Sequence, residues 1–153
     1  MRNNIEVSNY IDEEMILDIE PTSKEQALEM LIEVMRLSPK IKDINQFRQA
    51  IFSRENLMST GIGYGLAIPH ARLKSIDDFV IGILRCKKGI NYESIDDKPV
   101  RIIFMIGASE TQDKDYIRLL SKIMIRLKDK ELLDKLLHVE TSKDIYTLIT
   151  ETE

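Results

Sequence analysis

The residues best equipped for chemistry lie between Arg54 and Arg72, where a glycine-spaced turn, Thr60-Gly61-Ile62-Gly63-Tyr64-Gly65, runs through Leu66-Ala67-Ile68-Pro69 into His70. An unperturbed imidazole titrates near pH 6.5, so His70 is largely neutral at pH 7 and offers the lone pair of one ring nitrogen to an electrophile. The competing reading is a histidine that only hydrogen-bonds at a strand end. The glycines suggest a phosphate cradle, but a dinucleotide fingerprint needs G-x-G-x-x-G after a strand and before a helix. Leu66 stands where the third glycine would fall, and the glycines lead into an apolar run, so the nucleotide reading fails on spacing and context. Proline fixes its own φ, supplies no donor and biases Ile68 toward extended geometry. A short strand that ends at Pro69 delivers His70 to the sheet's edge, where open α/β sheets commonly bind ligands.

Arg54 is the second candidate. With Ile44, Phe47 and Ile51 it falls on nearly one face of a helix, and a guanidinium on an apolar side needs an anion or several carbonyls as partners. Its planar fork suits a phosphoryl group or the carbonyls of the following loop. It can equally complement the negative end of the helix dipole. Ser59, Thr60 and the backbone N–H groups around Gly61 and Gly63 form a candidate phosphate-binding loop, although hydroxyls in turns usually bond the local backbone. Two histidines and one cysteine offer no zinc-ligand spacing. Neither a metal nor any other cofactor is expected.

Glu55, then Ile62-Gly63, then Leu66-Ala67-Ile68-Pro69-His70-Ala71 resembles the signature of the mannitol/fructose-type (type 2) enzyme IIA domains of the bacterial phosphoenolpyruvate-dependent phosphotransferase system, a family that includes the nitrogen-regulatory branch. Arg54 stands where that family has an arginine, and the later elements run in the family's order through nearly the whole chain. The resemblance implies that His70 is phosphorylated by the small phosphocarrier HPr or a relative. It implies that the group then passes to a IIB or permease component, or that the phosphorylation state signals to regulatory target proteins. In-line transfer of this kind asks mainly for positioning and charge stabilisation.

One position departs from the family. Many relatives carry a second histidine after an acidic residue near the start of the helix that follows the last long strand. The corresponding run here is Asp115-Tyr116-Ile117. Tyr116 can donate a hydrogen bond to a phosphoryl oxygen or serve as a half-buried packing residue. The tyrosine, together with a sequence that holds only the IIA-like domain, leans the expectation toward the nitrogen-regulatory role. A sugar-specific transport component and an interaction module that no longer transfers phosphate are the alternatives.

The rest of the chain must position these groups. Its 153 residues, 43% apolar and 31% charged, fit one domain, 1–153, with one core. A net charge of -4 without a basic arm disfavours nucleic-acid binding. The first residues contain no apolar signal-like region and no stretch approaches the length of a membrane span, so a cytoplasmic protein without membrane insertion is expected. The single Cys86 excludes an internal disulfide and fits a small hydrophobe at a strand end.

Residues 15–20 read as a strand ended by Pro21. Thr22 with Glu25, or Ser23 with Gln26, offers a capping box for a helix carrying Ala27, Met30, Leu31, Val34 and Met35. Asp43 with Gln46 caps the next helix, which leads toward Arg54. Residues 79–84 and 100–106 are continuous apolar strands, the pattern of strands covered on both faces. Lys87-Lys88-Gly89 between them reads as loop. The last third is helical, with stripes at Leu119, Leu120, Ile123, Met124 and Leu127, at Leu132, Leu133, Leu136 and Leu137, and at Ile145, Leu148 and Ile149. Arg118, Lys122 and Arg126 could dock an acidic partner but read first as a solvated face, and His138 as a dipole-complementing or exposed residue at a helix end. The expected architecture is an α/β sandwich, a central mixed β-sheet with helices on both faces.

Overall fold

Alternation along two long strands decides the architecture, because successive side chains of a strand point to opposite faces. In β5 (Val80–Ile90), Ile81 and Ile83 enter one apolar cluster while Val80, Leu84 and Cys86 enter a second. In β6 (Val100–Ser109), Ile102, Phe104, Ile106 and Ala108 join the first, and Val100, Ile103 and Met105 the second. A sheet apolar on both faces must be covered on both. On one face lie α1 (Lys24–Met35) and α2 (Ile44–Leu57); on the other lie α3 (Asp113–Leu127), α4 (Lys130–His138) and α5 (Ser142–Glu151). The structure, a computed structural model, describes residues 5–151, so the outermost residues of the expected 1–153 domain lie outside the described residues.

The remaining strands are β1 (Ile11–Asp18), β2 (Gly61–Gly63), β3 (Leu66–Ala67) and β4 (His70–Leu73). The sheet order is β1-β5-β6-β3-β2, with β4 also paired to β6. It is mixed: β1 runs parallel to β5, β5 antiparallel to β6, and β3 and β4 parallel to β6. Both anticipated helix caps form. Ser23 accepts from the Gln26 N–H at 3.0 Å, and Asp43 accepts from the Gln46 N–H at 3.1 Å. Helix α1 approaches the sheet so closely that a Cβ at Gly82 would stand 2.8 Å from the Met35 thioether.

Two boundaries differ from the sequence expectation. β1 begins at Ile11 rather than Met15, because Ile11 pairs with Ile81 while Asp12, Glu13 and Glu14 stay exposed, which hides the alternation. β5 runs through Lys87-Lys88-Gly89 instead of ending before it. The Glu20 carboxylate accepts from the Lys87 and Lys88 N–H groups at 3.0 and 3.1 Å, and pairing resumes at Ile90 with Val100 after a register shift. Cys86 therefore sits inside a strand, not at its end; burial, the leading cause, pushes its thiol up to about 12.

Candidate functional site

The site begins where α2 ends. Phe47 and Ile51 are buried on its inner face, and the third buried member of that face is Glu55 rather than Arg54. Arg54 lies half-buried on the flank, where its Nη1 donates to the Met58 carbonyl at 2.8 Å, one of the orphan carbonyls beyond the helix. Its remaining donors are available to an incoming anion. Leu57 and Met58 beside it are 83% and 68% exposed, a large apolar step next to the cation.

The glycine-spaced segment is a tight hairpin. Tyr64 and Gly65 both have positive φ, 60° and 75°, the pattern of a two-residue type I′ turn, between Gly63 and Leu66 in register. The Gly65 carbonyl accepts from Arg101 and Ile102 N–H at 2.8 and 3.0 Å, which docks the hairpin on β6. The donors of the expected phosphate-binding loop all have protein partners. The Gly61 N–H donates to Ser59 Oγ at 3.1 Å, Ser59 Oγ donates to the Tyr92 carbonyl at 3.2 Å, and the Gly63 N–H donates to Ser94 Oγ at 3.3 Å. Thr60 is buried. Its hydroxyl bonds Glu55 Oε1, and its N–H donates to Glu55 Oε2 at 2.9 Å.

Beyond β3 the chain does not stop at Pro69. β3 pairs with Ile102 and Ile103 and β4 with residues 106–109, so the two form one line along β6, interrupted at Ile68-Pro69. Proline lacks an N–H for the ladder, yet its carbonyl accepts from Ile106 at 2.9 Å, so the line resumes at once. His70 is thus the first residue of a strand, opposite Ile106, and not a side chain hung beyond one. Ala71 faces the α1–α2 cluster, which turns His70 and Arg72 to the α3 face.

His70 is half-buried, and its Nδ1 lies 2.8 Å from the Ile68 carbonyl. A carbonyl only accepts, so Nδ1 carries the proton and Nε2 of the neutral ring keeps its lone pair. Burial holds the His70 imidazole below its ordinary value; the Ile68 bond opposes this, the Arg54 charge adds to it, and the Glu55 charge opposes it. Neutral His70 is therefore secured at physiological pH, and Arg54 stands close enough for its charge to be felt by the ring.

Tyr116, in the first turns of α3, is 8% exposed, and its ring centroid is 6.1 Å from that of His70, tilted by 57°. Burial raises its phenol above the usual value, against the opposing charges of Arg72 and Arg54, so it is a protonated donor. Arg72 also lies over this ring, its guanidinium carbon 4.7 Å from the centroid. It pairs with Asp113 and donates to the Glu110 carbonyl at 3.1 Å, while its buried Nε has no hydrogen-bond partner. The fold thus gathers His70, Arg54 and Tyr116 and adds Arg72, a residue sequence reasoning missed. Two residues after His70, it shares that histidine's face once both are seen to lie on a strand. A separate cleft of about 580 Å3, lined by Ile62, Tyr64, Ile95, Pro99 and Arg101, contains none of these four residues.

The family model described as "Phosphoenolpyruvate-dependent sugar phosphotransferase system, EIIA 2" matches residues 9–152. The chain is 35% identical over 135 residues to the fructose-specific EIIABC component of Bacillus subtilis, covering 88% of this chain but only 21% of that longer protein. It is 32% identical over 136 residues to the nitrogen regulatory protein of Escherichia coli, covering 86% of this chain and 80% of that one. The crystal structure of the nitrogen regulatory protein IIA-Ntr of Neisseria meningitidis superposes with a TM-score of 0.86 at 25% identity, covering 94% of this chain and 99% of the other. Among the described residues no helix is long and apolar enough to cross a membrane.

Proposed function

Because the chain belongs to the EIIA 2 family of the phosphoenolpyruvate-dependent sugar phosphotransferase system, we propose that its phosphoryl-transfer role runs through a phosphohistidine formed on Nε2 of His70. The observation that carries this reading is the Nδ1 contact to the Ile68 carbonyl at 2.8 Å, which leaves Nε2 as the open nitrogen of a neutral ring. In the transfer, the Nε2–P bond forms as the N–P bond of a phosphohistidine on an HPr-type carrier breaks, and the bonding electron pair leaves with the carrier's ring. No redox change or cofactor enters. Arg54 meets the charge on the equatorial oxygens with the donors it does not spend on Met58, and the Tyr116 hydroxyl supplies one neutral donor. Arg72, held by Asp113, lies against the Tyr116 ring and adds positive potential. The exposed Leu57, Met58 and Ile117 around this group suit a protein donor that covers the site and excludes water.

The acceptor divides along the two kinds of relative. The likeness to nitrogen regulatory proteins supports a regulatory role in which phosphorylated and free forms differ in partner binding. The likeness to a fructose-specific EIIABC component supports delivery to a IIB component. Incubation with phosphorylated general carrier and, separately, with phosphorylated nitrogen-type carrier tests both levels. Label should enter the wild type and be lost in His70→Ala, and the carrier used faster identifies the branch. Undiminished label in His70→Ala would overturn the assignment.

A further inference from the structure

We infer that Glu55 is a positioning residue for His70, acting through a continuous line of hydrogen bonds that ends on the ring; the inference deepens the phosphohistidine reading and rests on it. The line is short. Glu55 Oε2 accepts from the Thr60 N–H at 2.9 Å, and Oε1 bonds the Thr60 hydroxyl. The Thr60 carbonyl accepts from the Ile68 N–H at 3.0 Å, and the Ile68 carbonyl accepts from His70 Nδ1 at 2.8 Å. Each link alternates donor and acceptor, so the orientation of the Ile68 carbonyl is tied to the place of one carboxylate.

That carboxylate is itself held from two other sides. The Tyr92 hydroxyl reaches Oε1 at 3.1 Å, and Lys24 Nζ pairs with Oε2 at 2.9 Å while lying 4.4 Å above the Tyr92 ring centroid. Tyr92 is fully buried and Glu55 is 6% exposed. A buried carboxylate is costly unless paired and bonded. Here three donors and a cation converge on it from α1, from the hairpin's first residue and from the segment before β6. A helix end can be closed by a cap with no such cluster, so closing α2 does not account for it. The ring needs this support because its anchor, Ile68, lies at the Pro69 interruption, where the β6 ladder skips a donor.

The experiment compares wild type, Glu55→Gln and Lys24→Gln in the full chain, reading the ring 15N resonances of His70 and the kinetics of phosphorylation by a phosphorylated HPr-type carrier. Glutamine is nearly isosteric, but its amide N–H2 either faces the Thr60 N–H and breaks that link, or takes the place of Oε1, where it donates to the Thr60 hydroxyl and leaves the Tyr92 hydroxyl without its carboxylate acceptor. Wild type should show the Nδ1–H tautomer. In Glu55→Gln the two tautomers should mix, and kcat should fall about 10- to 100-fold, the loss expected of a misplaced reacting group, with KM for the carrier little changed. Lys24→Gln, at a site solvent can reach, should move the same resonances in the same direction by less, and it decides the matter if Glu55→Gln does not fold. A folded Glu55→Gln with the wild-type tautomer and wild-type kcat overturns the inference; so does Lys24→Gln with unmoved resonances if it is the only folded variant. Failure of the phosphohistidine reading looks different: no carrier labels the wild type, whatever the tautomer does.

Discussion

The molecule contains two arginine centres of opposite design. Arg85, in the middle of β5, is 1% exposed and fully spent. Its Nε and Nη2 grip the Asp18 carboxylate at 2.9 and 2.6 Å, and its other donors reach the carbonyls of Leu136, Val139 and Glu140, closing the end of α4 against the sheet. That guanidinium holds the Asp18 carboxyl below the usual carboxylate range, with their hydrogen bond as the leading cause. Arg54 and Arg72 carry the same group near His70 with part of its bonding capacity open: Arg54 commits Nη1 to one carbonyl, and Arg72 leaves Nε unpartnered. In the proposed role, the same group is structural where every donor has a protein partner and serves transfer where some do not. Position relative to the sheet decides which, since Arg85 is sealed under α4 and α5 while the other two line the open edge at β4.

If that contrast holds, the two centres must fail differently. Replacing Arg85 with Met strands Asp18 and three carbonyls, and should cost about 3 kcal/mol, the low end for breaking a buried pair because Asp18 keeps some solvent. Urea denaturation measures this, and the phosphorylation rate of the folded fraction should stay at the wild-type value. Arg54→Ala should do the reverse: stability changes by less than about 1 kcal/mol, the scale of an exposed helix-end cation, while carrier-dependent phosphorylation slows about a hundredfold, as for loss of one preorganised donor. Equal stability losses in both variants would erase the distinction.

The pH dependence sharpens the same comparison. Because burial and Arg54 hold His70 below its ordinary value, the nucleophile stays neutral to lower pH than a free imidazole, and the falling limb of the acceptor rate should be displaced toward acid. Arg54→Ala removes one lowering influence, so the falling limb should move to higher pH, whereas Arg85→Met should leave it in place. Smallest of all is Tyr116→Phe. It keeps the ring in contact with His70 and Arg72 and removes one neutral donor, so transfer should slow about 2- to 10-fold, the worth of one net hydrogen bond.

Much of this was legible in the chain, and the rest was hidden for physical reasons. Ser23 and Asp43 announced two helices, since a cap residue and its partner are three apart in sequence. Continuous apolar runs announced β5 and β6, since both faces are covered. The end of β5 was hidden, because Lys87 and Lys88 stay in water while their backbone is held by Glu20. His70 was recognisable from its neighbours, but its strand was not: Pro69 reads as a stop, and only pairing with Ile106 shows that the ladder resumes. Arg72 was missed for the same reason. Glu55 was visible only as part of a signature, because its partners Lys24, Thr60 and Tyr92 come together through packing between distant segments, which no local periodicity records. Conversely, the glycine spacing promised an anion cradle that Ser59, Glu55 and Ser94 occupy instead.

The most direct measurement locates the phosphorus on the ring. After the chain is phosphorylated by an HPr-type carrier, 15N-edited spectra of His70 should show the phosphoryl group bonded to Nε2, with Nδ1 still protonated against Ile68. Phosphorus on Nδ1, or on any residue other than His70, would contradict the geometry described here.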